Sequence, residues 1–277
     1  MALRRQLGER VFALVAGADG PQHRDRIHLT PGERWFPPDA PIREVHADSS
    51  MFVGGLRALL LQSLHPLAMA GVAEHSDYRG DPWGRLQRTA YFLAATTFGA
   101  AEDAERAVAR VRGIHRRVRG VTSGGVPYSA ADPHLLRWVH VAEVDSFLRA
   151  HQLYGARPLD RAGRDRYVAD AAVVARRLGV VEPPTSVAEL AAQLAAFRPE
   201  LRSTPEARFA ARFLVVRPPL PLVARGPYAA LAAAAVASLP RWTRLPLRLP
   251  YLPVAEATVV RAAGKAVIGG LRWATAA

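Results

Sequence analysis

The feature that most constrains this chain is a helical apolar period that runs almost from end to end, cut into lengths by proline and glycine. Leu3, Leu7, Val11 and Leu14 recur at helical steps and place an amphipathic helix at the start. Strand-like alternation is scarce, and no internal period repeats. The expected fold class is therefore all-α.

The stops divide the rest. Residues 21–45 read as a leading segment anchored by Trp35-Phe36-Pro37-Pro38. Asp48, Ser49 and Ser50 offer N-caps for a helix running to about Gly71. Residues 78–84 form a turn cluster. Helices are expected over 84–98 and 101–119, stopped by Gly99 and Gly120. The second has Glu102 and Asp103 in its first turn and Arg116, Arg117 and Arg119 in its last, matching the helix dipole. Residues 121–131 read as a glycine-rich loop. Asp132-Pro133 then starts a helix to about Tyr154. Further helices fall at 161–178, 187–197, 205–215, 228–238 and 255–273; residues 218–221 read as a linker, and four prolines bar regular helix over 239–253. The chain divides into residues 1–44, an N-terminal helix and leading segment; 45–201, a helical core; and 202–277, a basic C-terminal part of the same domain.

Composition narrows the chemistry. With no cysteine there is no disulfide scaffold, thiolate-held metal or thiol nucleophile. The 37 basic side chains outnumber 24 acidic ones, for a net charge of +13. Past residue 201 the only carboxylate side chains are Glu206 and Glu256. Such a field favours anionic partners, lipid surfaces among them. Yet the excess is almost wholly arginine, with Lys265 the lone lysine, so much of it reads as compositional bias. No helix-turn-helix or aromatic-interleaved basic patch supports a nucleic-acid partner. The longest charge-free apolar run, around 228–239, falls short of the ~20 residues that cross a bilayer. Glu9 and Arg10 interrupt a twin-arginine reading of Arg4-Arg5, so a cytoplasmic location is expected, with peripheral membrane contact through the basic C-terminal part.

The helix at 101–119 carries the most chemistry. Ala104, Val108, Val111, His115 and Val118 recur at steps of four and three, which puts His115 on the buried face. A buried imidazole is either hydrogen-bonded to a carbonyl or a ligand to a metal. His140 lies four residues after Leu136 and seven before Phe147 and is its rival. His65-Pro66 follows Gln62 on an apolar helix, where the two polar groups either line a pocket or satisfy local backbone. Glu74-His75-Ser76-Asp77 gathers titratable groups in a short segment. Arg85 and Thr89 share a helix face, which suits a carboxylate or phosphate, with Arg88 between them, although a solvated arginine face has the same pattern.

These segments also occur in a telling order: Gly54-Gly55-Leu56-Arg57 through Gln62-Ser63-Leu64-His65-Pro66, then Gly71-Val72-Ala73-Glu74-His75-Ser76, then Arg85-Leu86-Gln87-Arg88-Thr89, then Ile114-His115-Arg116-Arg117, then Tyr128-Ser129-Ala130, then Trp138-Val139-His140. The series resembles the MpaB-like oxygenase family over roughly residues 45–250. That family includes the latex-clearing rubber oxygenases and the fungal oxygenase that cleaves a farnesyl chain in mycophenolic acid biosynthesis. The resemblance implies a globin-like, multi-helix fold holding a b-type haem and oxygen chemistry on a small hydrophobic substrate, plausibly prenyl or alkene. Its iron ligand matches His115, with His140 as the alternative. Arg85, Thr89, His65 and Arg116 are the implied cofactor-binding residues, with Arg85 and Arg88 as propionate partners. Glu74, His75 and Arg88 are the implied catalytic set, the first two for proton transfer. Rubber oxygenases carry a distal lysine where this chain has Arg88; a guanidinium has no lone pair to offer iron. That leaves the distal position to water or to a group such as His65 or His75. Dioxygen is the co-substrate, with or without an external electron donor. The rival readings are a haem sensor or carrier with both axial positions filled, a non-haem iron protein using His65, His75, His140 and Glu74, and a basic nucleic-acid-binding protein.

Overall fold

The computed structural model describes residues 2–77 and 80–276, with the Leu3 side chain also outside the described set. Tyr78 and Arg79 of the expected turn lie outside the described residues. The all-α class is what the chain adopts. Two helices, α1 (Ala2–Ala16) and α2 (Gly20–Leu29), lead to α3 (Pro41–Ala47). Then come α4 (Met51–Gln62), α5 (Pro66–His75), α6 (Pro82–Phe98) and α7 (Ala101–Arg117). A small antiparallel hairpin, β1 (Arg119–Val121) and β2 (Pro127–Ser129), precedes α8 (Pro133–Tyr154). The remainder is α9 (Arg161–Leu178), α10 (Val187–Phe197), α11 (Pro205–Val216), α12 (Leu222–Ser238), α13 (Arg241–Arg244), α14 (Pro253–Ala255) and α15 (Arg261–Thr275).

Local chemistry sets most boundaries. Asp81, Asp132, Asp160, Ser186 and Thr204 each accept a backbone N–H at the start of α6, α8, α9, α10 and α11. Gly179 closes α9 in the left-handed conformation that glycine adopts without strain. Asp48 does more than cap: its carboxylate accepts from Ser50 N–H and Ala156 N–H and pairs with Arg272 of α15 at 2.9 Å.

The leading segment holds most of α2 and the start of α3. Two expectations need correction. The helix expected to reach Gly71 breaks after Gln62, because Pro66 lacks the N–H that would continue it. Its two halves meet at 109°. The glycine-rich loop carries the β1–β2 hairpin, in which Gly120 faces Tyr128. Among the described residues no single helix is long and apolar enough to cross a membrane; α4 and α5 pass together on length and composition alone.

The centre of the fold is the crossing of α4 and α8. Gly54 makes it close: a Cβ there would sit 2.7 Å from Phe147 Cδ1 and 3.2 Å from its Cα. Arg57, 3% exposed, spans the seam and pairs with Asp145 at 2.7 Å. It also donates to Ser146 Oγ at 2.7 Å and to the Ser238 carbonyl of α12. Around this seam lie three apolar clusters. One joins Leu60, Leu61 and Trp138 to α10, α11 and α12. A second joins Val53 and Tyr154 to α12 and α15. The third, with Phe36, Val45, Phe147 and Tyr167, packs α3 and α9 against α8.

The adjacent glycines of α4 therefore predict opposite outcomes. Gly54→Ala should destabilise by about 1–3 kcal/mol, since the added methyl meets backbone as well as ring. Gly55→Ala, with open space around its Cβ, should stabilise by up to ~1 kcal/mol through helix propensity. Urea unfolding of both variants checks the pair; equal effects would refute the close-crossing argument.

Candidate functional site

Elements α3, α6, α7, α8 and α9 line a cavity of about 90 Å³. Its polar lining is His46, Thr96, His115, His140, Glu143 and Tyr167; every other lining residue is aliphatic or phenylalanine. That is the composition of a ligand site: apolar walls with a few convergent polar groups. The helical period delivers them. His140, Glu143, Val144 and Phe147 are spaced by three, one and three residues and fall on one face of α8.

The imidazoles are the distinctive feature. His115 Nδ1 and His140 Nε2 are buried and have no hydrogen-bond partner. Burial lowers the pKa of both, His140 to about 4 with Arg176 adding to the effect. Both rings are therefore neutral at pH 7 and keep a lone pair. His46 is pushed down by burial to about 3; its Nδ1 sits 2.8 Å from Thr97 Oγ1 and its Nε2 3.5 Å from Tyr167 Oη. Burial raises Glu143 to about 7, so this carboxyl titrates near neutrality.

A b-type haem asks for a neutral imidazole, apolar walls and cationic partners for its propionates. The orphaned nitrogens of His115 and His140 and the apolar walls meet the first two needs. Among the described residues no arginine lines the cavity itself, and Arg176 acts on it from nearby.

A second polar group lies where α5 meets the hairpin. Tyr128 Oη donates to the Glu74 carboxylate and lies 3.2 Å from His75 Nε2. Burial and then Glu74 hold Tyr128 up at about 12, so its proton stays on. Gly120 permits this arrangement, because a Cβ there would sit 2.6 Å from Tyr128 Oη and 3.0 Å from Glu74 Oε2. Arg85, opening α6, donates to Ser76 Oγ at 2.5 Å and so borders the same group.

The residues singled out from the sequence thus fall in four places. His115 and His140 share the cavity. Glu74 and His75 meet at Tyr128, with Arg85 beside them. Arg88 pairs with Asp81 at 3.1 Å on the surface, Thr89 Oγ1 donates back to the Arg85 carbonyl, and Arg116 is exposed. His65 lies against Glu200 and His134. The set His65, His75, His140 and Glu74, weighed for non-haem iron, is divided among three of these places. Sequence reasoning missed His46, Glu143 and Tyr167. Only Glu143 left a signal, three residues after His140 on the inward face.

Comparison with known proteins gives the following. The model of a family described as ER-bound oxygenase MpaB/B′ and rubber oxygenase, catalytic domain, matches residues 43–269. An uncharacterized protein of Mycobacterium bovis and one of Mycobacterium tuberculosis are each 36% identical over 111 residues, 39% of this chain and 43% of theirs. The match thus spans under half the length of these curated relatives. No solved structure matches the chain.

Glu143 makes a pH prediction. Its folded pKa is above its unfolded value, so its contribution is full below about 4.5 and is lost as pH rises through about 7. Glu143→Gln should therefore raise the stability of cofactor-free protein at pH 8 by on the order of 1–3 kcal/mol and leave it nearly unchanged at about pH 4. Thermal melts at the two pH values check this; a gain of equal size at both would show that the charge is not the cause.

Proposed function

The chain belongs to the family of MpaB and rubber oxygenase catalytic domains, and from that premise we propose that it is a haem b-dependent oxygenase of a small hydrophobic substrate, with His115 as proximal ligand. The observation that carries the reading is the unpartnered, buried Nδ1 of His115, a residue that lines the apolar cavity. Bound there, haem would supply the iron centre at which dioxygen is activated. The protein's own part is positional. Burial keeps His115 uncharged, so its nitrogen is available without first losing a proton. The aliphatic and phenylalanine walls desolvate an alkene or prenyl chain and exclude water from it. Glu143, poised at about 7, can hold or release a proton at its carboxyl oxygens beside the substrate. An external electron donor and peripheral contact with an anionic membrane remain parts of the proposal that charge and chemistry support.

One observation favours a second reading. His140 also lines the cavity and also has a buried nitrogen without a hydrogen-bond partner. If both imidazoles took axial positions, the protein would be a haem carrier or sensor.

The visible spectrum of haem-reconstituted protein distinguishes these readings. A Soret band lost in His115→Ala and retained in His140→Ala is expected, together with oxygen uptake on addition of a prenyl substrate. A six-coordinate low-spin spectrum that needs both histidines, with no uptake, supports the carrier. Protein that stays colourless after haem addition overturns both.

A further inference from the structure

The cavity leaves one cluster of ligand-type side chains unused. His65, the residue before Pro66 at the α4–α5 bend, is 3% exposed, and neither of its ring nitrogens has a hydrogen-bond partner. Its Nε2 lies 3.4 Å from Glu200 Oε2. His134, in the first turn of α8, places its Nε2 2.8 Å and 3.0 Å from the two Glu200 carboxylate oxygens. One donor atom from each of the three residues falls within 4.8 Å of the others. A buried imidazole without a hydrogen bond is costly, and among the described residues only the 3.4 Å approach of Glu200 to Nε2 offsets that cost; Nδ1 has no partner.

The three side chains come from separate elements, and each is held in place. Asp132 caps α8 by accepting the His134 N–H at 2.8 Å. The His134 ring packs on Phe197 at 4.8 Å between centroids, and the His65 ring lies 6.1 Å from that of Trp138. Glu200 ends the turn that follows α10, and the Arg202 N–H donates to the Leu64 carbonyl at 2.9 Å, clasping that turn to the residue before His65. Preorganised ligands on a fixed backbone are what a metal site needs and what a chance surface contact lacks.

We propose that His65, His134 and Glu200 bind a single divalent transition-metal ion of the zinc type. Two imidazole nitrogens and one carboxylate oxygen are a three-ligand zinc set, which leaves a fourth position for water on the half-exposed His134 and Glu200 side. None of the three lines the cavity of His115 and His140, so this site is separate from the proposed oxygenase centre. Its place suggests bracing: the ion would tie the α4–α5 bend and the α10 turn to the N-terminal end of α8. His140 of the cavity lies six residues further along the same helix, about 9 Å of rise.

The test uses the full-length, tag-free protein, treated with chelator and dialysed, with or without added haem. Isothermal titration with Zn²⁺ should show one site per chain, and Co²⁺ should give the visible absorption of a low-symmetry nitrogen–oxygen complex. Glu200→Gln and His134→Ala should each weaken zinc binding at least tenfold, while His75→Ala leaves it unchanged. Glu200 is half exposed, so its glutamine variant keeps the fold measurable where His65→Ala does not. Zinc binding that both variants leave intact, or none at all, overturns the proposal. Because zinc is read by calorimetry, the result stands whether or not the protein takes up haem.

Discussion

Everything that the cavity requires depends on how closely α4 and α8 cross. Gly54 lets the backbone of one helix approach Phe147 of the other, and Arg57 locks the crossing by pairing with Asp145 and donating to Ser146 and to the Ser238 carbonyl. A guanidinium almost out of solvent is tolerable only with this full set of partners. Its removal would strand Asp145 and loosen α12 together with α8. The crossing also fixes the rotation of α8. Trp138 and Ala142 then turn into the cluster with α4 and α11, while His140, Glu143 and Phe147 turn toward α3 and α9. One helix thus supplies a packed face and a chemical face, and the angle between them is set by a glycine and an arginine.

The chemical face works against stability. His46 resists protonation and Glu143 resists ionisation, both because burial penalises the charged form. Acid therefore strains the cavity through His46 and base strains it through Glu143. The unpartnered nitrogens of His115 and His140 add the cost of desolvation without a hydrogen bond. A core selected for stability alone would replace these groups with leucine. Their presence in an otherwise largely apolar cavity is what the proposed ligand site accounts for.

How much of this was legible in the sequence follows from the range of each interaction. The class, most helix starts and the inward turn of His115 come from local rules: capping residues, proline, and a three-to-four-residue step. Val118 shows where the rule ends, since it follows the last residue of α7 and does not extend the helical stripe. His46, Tyr167 and the pairing of His134 with Glu200 depend on elements brought together from 66 to 121 residues apart, for which periodicity has no signal. Charge misled in the same way. Arg57 and Arg244 count toward the basic excess, yet both are buried, and Arg244 is consumed by Glu256 and the carbonyls of Pro250 and Ala237.

The ordered motifs gain their meaning from where they converge. Spread over some ninety residues, four of their residues meet at two places: His115 and His140 at the α7–α8 cavity, and Glu74 and His75 with Tyr128 and Arg85 at the end of α5. Tyr128 is the hinge of the second place. With its proton held on, it donates to Glu74 and leaves its oxygen to face His75 Nε2, so that carboxylate is oriented before any ligand arrives. Gly120 is what lets the tyrosine come so near, and the hairpin pairing of Gly120 with Tyr128 is what aligns them. The short sheet in an otherwise helical protein is therefore not a stray loop. It is the one element whose geometry holds an aromatic hydroxyl between an acid and an imidazole, a task that needs strand pairing because helix spacing alone does not bring these three residues together.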